Sequence, residues 1–417
     1  MTDSATQTKT QPLQPLLTLP QRVARKTLFA LLAQLQQGQL NIRDAEGLVR
    51  FGQGQPSATL EVLDGAFYTR VLLGGSIGAG EGYVDGLWRC DDLTALVRIM
   101  VLNLPLLDGL ERRLAWLTWP LQRLKHLANR NSKRGSKKNI LAHYDLGNAL
   151  YERFLDPTMM YSSALYPHAE ASLEEAQRHR LDRICTRLDL KPGDRLLEIG
   201  TGWGGLAIHA ARHYGCHVTT TTISDAQYEE AARRVAEAGL EDSICLLKED
   251  YRELGGQYDK LVSIEMIEAV GHGYLPGFFK KCQSLLKDDG LMLLQAITIS
   301  DQRYDSYARS VDFIQRHIFP GGCLPSNTRM LSLMTAHTDL VVRDLLDFGF
   351  DYARTLREWR RRFHGAFEEL RQLGYDERFR RLWDYYFCYC EGGFMERAIS
   401  VVQLVATRPG NRTCLSG

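Results

Sequence analysis

The chain has 417 residues, 44% of them hydrophobic and 24% charged, with a formal net charge of +1 at pH 7. That length suggests two or three domains with ample core material, and the composition excludes a collagenous or mostly disordered chain. No run of about 20 uninterrupted apolar residues exists, which excludes a multispanning membrane protein, and the near-neutral balance creates no global field for nucleic acid.

The nine cysteines are scattered without a C-x-x-C pair, and Cys388-Tyr389-Cys390 is too tight for a zinc knuckle. They read as free thiols in a reducing compartment, and no metal site is expected. Met1 to Pro20 is polar and Gln/Thr-rich, without a basic flank and apolar core. It reads as a disordered tail (residues 1–20) and not as a signal peptide, so the expected location is the cytoplasm.

An accessory domain is expected over residues 21–106. A helical period runs through Val23, Leu28, Leu31, Leu32 and Leu35 and ends near Gly38. Short alternating stretches follow, Ala58 to Leu63 and Phe67 to Leu73, which read as strands of a small β-rich unit. A helix is expected from Asp92 to about Leu104.

Residues 107–138 change character. Arg112, Arg113, Arg123, Lys125, Arg130, Lys133, Arg134, Lys137 and Lys138 face only Asp108 and Glu111, with Trp116 and Trp119 interleaved. A solvated linker with a core-facing stripe is one reading. The other is a basic amphipathic segment on anionic lipid, where each cation adds about 1 kcal/mol. No nucleic-acid module accompanies it.

From about Leu181 strands and helices alternate. Strands are expected at Arg195 to Ile199, His217 to Thr222, Ile244 to Leu247, Asp259 to Ile264 and Leu291 to Ile297, with helices at Leu206 to His213, Ala226 to Ala238 and Phe278 to Leu286. Short apolar strands joined by helical crossovers predict an α/β fold with a doubly wound parallel sheet. Residues 300 to 340 read as an aromatic, loop-like insertion before the sheet resumes near Leu340.

Glu198-Ile-Gly200-Thr-Gly202-Trp-Gly204-Gly205 falls where a strand ends and a helix begins. Glycines there let the backbone turn sharply and approach a ligand without an intervening Cβ. A dinucleotide site would place an acid about 20 residues further on. Thr219 to Thr222 stand there, and the acid instead lies two residues before the first glycine. That is the arrangement of methyltransferases that use S-adenosylmethionine, in which Glu198 orders the loop and meets the ammonium end of the cofactor.

The surrounding motifs resemble the cyclopropane fatty acid synthase family. They are His143-Tyr-Asp-Leu-Gly-Asn, Leu155-Asp-Pro-Thr-Met-Met-Tyr161-Ser162-Ser163, Thr222-Ile-Ser-Asp-Ala-Gln227, Asp250-Tyr251, Ser263-Ile-Glu-Met-Ile-Glu268-Ala-Val-Gly, Ile318-Phe-Pro-Gly-Gly-Cys-Leu-Pro-Ser and Phe348-Gly-Phe-Asp-Tyr352. The resemblance implies a Rossmann-like class I methyltransferase domain over residues 139–417, with a helical insertion, beside a small N-terminal α+β domain. It implies transfer of a methyl(ene) group from S-adenosylmethionine to a cis double bond in an unsaturated phospholipid acyl chain, and closure of the resulting carbocation to a cyclopropane. It further implies a bound bicarbonate as the base, reversible docking on the inner membrane leaflet, and a homodimer.

By motif, the cofactor would contact Tyr161, Ser162, Glu198, Gly200, Gly202, Gly204, Thr222, Gln227, Asp250 and Tyr251. Thr222 and Gln227 would replace the missing ribose carboxylate, and Asp250 would accept from the adenine amine. The bicarbonate would be cradled by Ser163, Glu268, Gln295, the backbone of Ile297, and Tyr352, and His143, Tyr144 and Phe319 would lie near the acyl chain. Two cradle positions depart from the family pattern: Ser163 replaces a cysteine and Gln295 a histidine. Ala269 also stands where the family's motif has histidine. Both cradle residues are able to hydrogen-bond an oxyanion, but losing an imidazole removes a titratable group beside the base, which is expected to slow or redirect deprotonation, and a redirected step would give a methyl-branched or methylene product. A non-catalytic lipid-binding relative is the remaining alternative. Structural roles stand beside these: Glu268 as a helix cap, Tyr352 as a core tyrosine, Ser163 and Gln295 as polar filler, His272 as a loop residue, and Arg360-Arg-Arg362 as a solvated face or a head-group contact.

Overall fold

A computed structural model describes residues 17–106 and 146–414. The chain divides into two compact units, Met1–Trp116 and Leu117–Gly417. The basic segment 107–138 and the residues His143 and Tyr144 lie outside the described residues.

The first unit contains α1 (Leu19–Leu32), β1 (Gly38–Asp44), β2 (Gly47–Gln53), β3 (Ser57–Val62), α2 (Ala66–Val84), β4 (Trp88–Cys90) and α3 (Leu93–Leu102), with sheet order β2-β1-β3-β4. Leu28 and Leu32 of α1 are buried, and Leu40 and Ile42 alternate inward on β1. Helix α1 begins two residues inside the expected tail. The expected strand from Phe67 to Leu73 is the start of α2. Adjacent Phe67 and Tyr68 are both buried, a pattern that a helix face allows and a strand's alternation does not. The Asp64 carboxylate accepts from the Ala66 N–H at 2.8 Å and starts the turn.

The second unit carries α4 (Asn148–Glu152), α5 (Leu173–Arg187), β5 (Arg195–Ile199), α6 (Gly205–Tyr214), β6 (His217–Thr221), α7 (Asp225–Glu237), β7 (Ile244–Leu247), β8 (Tyr258–Ile264), α8 (Leu275–Leu285), β9 (Leu286–Ile299), α9 (Asp301–Tyr307), α10 (Phe313–His317), α11 (Asn327–His337), β10 (Val341–Asp347), α12 (Gly349–Gly365), α13 (Phe367–Gln372), α14 (Glu377–Met395) and β11 (Ile399–Thr407). The sheet order is β10-β11-β9-β8-β5-β6-β7, and among the described strands β11 runs against the rest. Successive residues of one strand enter opposite cores. Leu197 packs in the core of Phe278, Phe279 and Met330, whereas Leu196 packs with Leu181, Ile184 and Leu206. Burial on both faces explains the uninterrupted apolar runs. The stretch from 300 to 340 is helical, in α9, α10 and α11, and not loop-like; the side chains of Ser326 and Asp312 cap two of these helices.

After β7 the chain crosses to the other side of β5 and forms β8. In such sheets ligands bind beyond the strand carboxyl ends where the order reverses, which is between β5 and β8.

Candidate active site

The turn after β5 is built from backbone. Gly200 (φ 104°), Gly202 (φ 53°) and Gly204 (φ 83°) all sit in left-handed regions that favour glycine. A Cβ at Gly202 would meet nothing within 4 Å, so the space beside it is open; a Cβ at Gly205 would lie 2.4 Å from the Thr158 carbonyl oxygen. Glu198 is buried and accepts from the Thr220 hydroxyl at 2.6 Å, while the Thr201 and Thr220 hydroxyls lie 2.7 Å apart. The carboxyl therefore fastens the turn to β6, and burial pushes its pKa up to about 8.

The other expected cofactor residues follow the same edge of the sheet. Beyond β6, Thr222 donates to the Gln227 side-chain oxygen at 3.0 Å, so the pair expected at the ribose is assembled. Asp250 accepts from the Arg252 guanidinium at 2.8 and 2.5 Å, so this carboxylate is already ion-paired. Tyr251 stands edge-on to Phe278. Tyr161 places its hydroxyl 3.1 Å from that of Tyr386, and the Ser162 hydroxyl accepts from Arg180 at 2.8 Å. An open glycine turn at a helix N-terminus with a polar pair beyond the next strand fits S-adenosylmethionine.

The turn after β8 is built from side chains. Glu265 has φ 47°, a left-handed conformation uncommon outside glycine. One of its oxygens accepts from the Ser163 N–H at 3.0 Å and the Gln295 amide at 2.8 Å, and the other accepts from the Tyr352 hydroxyl at 2.7 Å. The Ser163 hydroxyl turns away and donates to the Ala164 carbonyl at 2.9 Å. Gln295 is held in turn by Gln403, whose amide donates to its oxygen at 3.1 Å. Glu268 accepts from the Ile297 N–H at 2.5 Å, and its second oxygen is buried without a partner.

The five residues expected around bicarbonate are thus brought together, but around two carboxylates of the chain. Ser163 N–H, the Gln295 amide and Tyr352 serve Glu265, and Ile297 N–H serves Glu268. An added anion would find these donors engaged and two acids beside it. The cluster does not fit bicarbonate. Glu268 does not cap a helix either, because its acceptor reaches β9. Burial, then the charge of Glu265, pushes Glu268 up to about 8. Burial also raises Glu265, against the three donors and the Arg180 charge. Tyr352 is raised well above the usual phenol range by burial and by Glu265, so it remains a donor.

Arg180 and Gln177 share one face of α5, and both are fully buried. Burial lowers Arg180 to about 10, still a cation at neutral pH, and its Nε and one Nη are buried without partners. Aromatic rings wall this region. Tyr161 lies 5.2 Å from Trp359 and 6.4 Å from Phe319 between ring centroids, and Tyr352 lies 4.5 Å from Phe394. Arg360, Arg361 and Arg362 are ion-paired with Asp384, Glu358 and Glu174 at 2.7, 3.0 and 2.7 Å. His272 lies in a short 3-10 turn, its Nδ1 3.1 Å from the Tyr304 hydroxyl.

The model of the mycolic acid cyclopropane synthetase family matches residues 131–404. The chain belongs to this family. It is 39% identical over 358 residues to the cyclopropane-fatty-acyl-phospholipid synthase of Escherichia coli, covering 85% of this chain and 89% of that one. It is 37% identical over 352 residues to the tuberculostearic acid methyltransferase UfaA1 of Mycobacterium tuberculosis, covering 83% and 82%. Among solved structures, the mycolic acid cyclopropane synthase CmaA1 complexed with SAH and CTAB superimposes with a TM-score of 0.61 at 30% identity, over 65% of this chain and 98% of that one. Fold and family make the protein a cyclopropane synthase-like, S-adenosylmethionine-dependent methyltransferase.

Within this family member, sequence reasoning gave Glu265 and Arg180 no role. The available signal was Glu265-Met-Ile-Glu268, two acids three residues apart directly after a strand buried on both faces. Nothing local marked Arg180, whose arginine neighbours on α5, Arg178, Arg183 and Arg187, are not fully buried.

Proposed function

We propose that the protein transfers the methyl group of S-adenosylmethionine to a cis double bond in the unsaturated acyl chains of membrane phospholipid. The observation that carries this reading is the placement of an open glycine turn beside a dry, acidic, aromatic-walled cluster at one switch point. Methylation of an unactivated alkene generates a cation that must be shielded from water, faced by aromatic and anionic groups, and deprotonated. When bound, S-adenosylmethionine supplies an electrophilic methyl group on a sulfonium. Gly200, Gly202 and Gly204 let the backbone approach it, Thr222 and Gln227 bind its ribose, Asp250 and Tyr251 its adenine, and Tyr161 and Ser162 close over it. Tyr161, Phe319 and Trp359 face the cation.

Closure to a cyclopropane is the first product reading. A methylene or methyl-branched product is the second, favoured by Gln295 in place of the family's histidine. Among the described residues no helix is long and apolar enough to cross a membrane. We place the reaction at the surface of the inner leaflet, with the cations and tryptophans in the sequence of residues 107–138 as the support for lipid contact, and with a homodimer as the assembly. The test is to incubate the full chain with methyl-deuterated cofactor and liposomes of monounsaturated phospholipid, then analyse the acyl chains by mass spectrometry. A labelled gain of one carbon supports the reading, and hydrogenation separates ring from methylene. Lipid binding without label transfer would point to a non-catalytic relative and overturn it.

A further inference from the structure

We propose that Glu265 is the proton acceptor of the reaction, a base carried by the chain in the place where bicarbonate was expected. The inference rests on the reading above, in which a cation forms on an acyl chain.

Four observations converge on this carboxylate. It gathers Ser163 N–H, the Gln295 amide and the Tyr352 hydroxyl, which come from three separate segments of the chain. Its backbone holds a left-handed φ of 47°, strain that persists only where the surroundings over-determine it. A fully buried guanidinium, Arg180, stands near enough to favour its charge, and one of its nitrogens bonds both Ser162 and Gln295, the latter a donor to Glu265. The second acid, Glu268, has one backbone donor and one orphaned oxygen, so it is the partner that keeps its proton. Two acids with opposed environments divide into one ionised and one neutral. The ionised one is Glu265.

The step balances without any added anion. Once the methyl group has joined one alkene carbon, the other alkene carbon is positive. A C–H bond of the added methyl breaks, its proton passes to a Glu265 oxygen, and its electron pair forms the bond that closes the three-membered ring. Should a neighbouring C–H face Glu265 instead, the same electron pair forms a double bond. In either case a cation and a carboxylate become a neutral product and a carboxylic acid, which returns its proton to solvent after product leaves.

The experiment compares wild type with Glu265→Gly and Glu265→Gln, all as full chains. First, 13C-bicarbonate is titrated into protein loaded with S-adenosylhomocysteine and followed by NMR. Wild type is expected to show no saturable binding, whereas Glu265→Gly, which relieves the left-handed strain and frees the donors, binds the anion. Saturable binding by wild type would overturn the proposal. Second, methyl transfer is measured in CO2-free buffer. Wild type keeps its rate within about twofold, and both variants lose about a hundredfold or more, the scale of a missing general base. Glu265→Gly then regains part of its rate on adding bicarbonate. A wild-type rate that collapses without bicarbonate, or a Glu265→Gln rate that is retained, would overturn it. If wild type methylated no lipid at all, the substrate reading would fail, and with it the proton transfer. The titration would still decide, independently, whether Glu265 fills the anion's place.

Discussion

Two neighbouring parallel strands end in two acidic turns, and the turns are made in opposite ways. After β5 the geometry comes from contiguous backbone, three left-handed glycines within five residues, with Glu198 held by one threonine hydroxyl. After β8 it comes from side chains, with Glu265 drawing donors from residues 30, 87 and 102 positions away. A ligand that needs close backbone approach is served by a local motif. A buried charge must be matched on every side, and its partners come from wherever the fold supplies them. The contrast predicts that damage after β8 spreads through the network, whereas damage after β5 stays local.

Removing Arg180 tests this most severely. Arg180→Met leaves the Glu265 carboxylate buried without the cation whose charge favours it, and a buried charge left uncompensated costs about 3–5 kcal/mol. Urea denaturation at pH 7 measures the loss. Adding Glu265→Gln to Arg180→Met is expected to recover much of it, because the unmatched charge is then gone. A loss of the size of an exposed ion pair, about 1 kcal/mol or less, would show that the two turns do not differ as described.

Tyr352→Phe comes next. It deletes one hydrogen bond to a charged acceptor, worth about 1.5–3 kcal/mol, and is expected to lower methyl transfer while calorimetric affinity for S-adenosylhomocysteine is unchanged. Unaltered transfer would remove Tyr352 from the acid cluster. A smaller effect is expected after β5, where two alanine substitutions should diverge. Gly205→Ala drives a Cβ to 2.4 Å from a backbone oxygen, an overpacking of about 1–3 kcal/mol. Gly202→Ala enters open space and bears only the left-handed penalty, about 1–2 kcal/mol. Denaturation should rank Gly205→Ala as the worse of the two, whereas cofactor affinity should rank Gly202→Ala as the worse, because its Cβ enters the space through which the cofactor approaches the backbone.

The same contrast explains what could be read from the sequence. The glycine turn and the strands and helices around it were legible because each occupies a few consecutive residues, and Thr222 and Gln227 were legible through the resemblance. Ser163, Glu268, Gln295, Ile297 and Tyr352 were legible as a set only through resemblance to a family, and the carboxylate that Ser163, Gln295 and Tyr352 share, Glu265, was not among them. Glu265 lay inside a quoted motif, yet its meaning depends on a left-handed φ and on donors from three other segments, none of which is encoded nearby. Phe67 to Leu73 was misread for a related reason: β-prone residue types outweighed the helical start set by Asp64, which only the burial of both Phe67 and Tyr68 makes plain.

The gentlest test concerns Glu198, the acid with the sparser surroundings. It has the Thr220 hydroxyl against the full burial penalty, and its pKa rises from 4.5 to about 8. The folded chain therefore holds this proton where the unfolded chain releases it. The stabilisation is complete below pH 4.5 and is lost as pH rises toward 8, at no more than about 1.4 kcal/mol per pH unit for one group. Below pH 4.5 Glu198→Gln replaces one neutral side chain by another of similar shape, so stability there should change by less than about 1 kcal/mol, and at pH 6, where the unfolded wild type has already ionised, the variant should be the more stable by about 2 kcal/mol. Between pH 6 and 8 wild type should weaken more steeply than Glu198→Gln, and above pH 8 the two curves should run parallel. Glu268, raised to about 8 by burial and by Glu265, contributes the same sign in both proteins, so the difference between the curves isolates Glu198. Parallel curves from pH 6 upward would mean that Glu198 is ionised in the folded chain, and that the turn after β5 also depends on a matched buried charge.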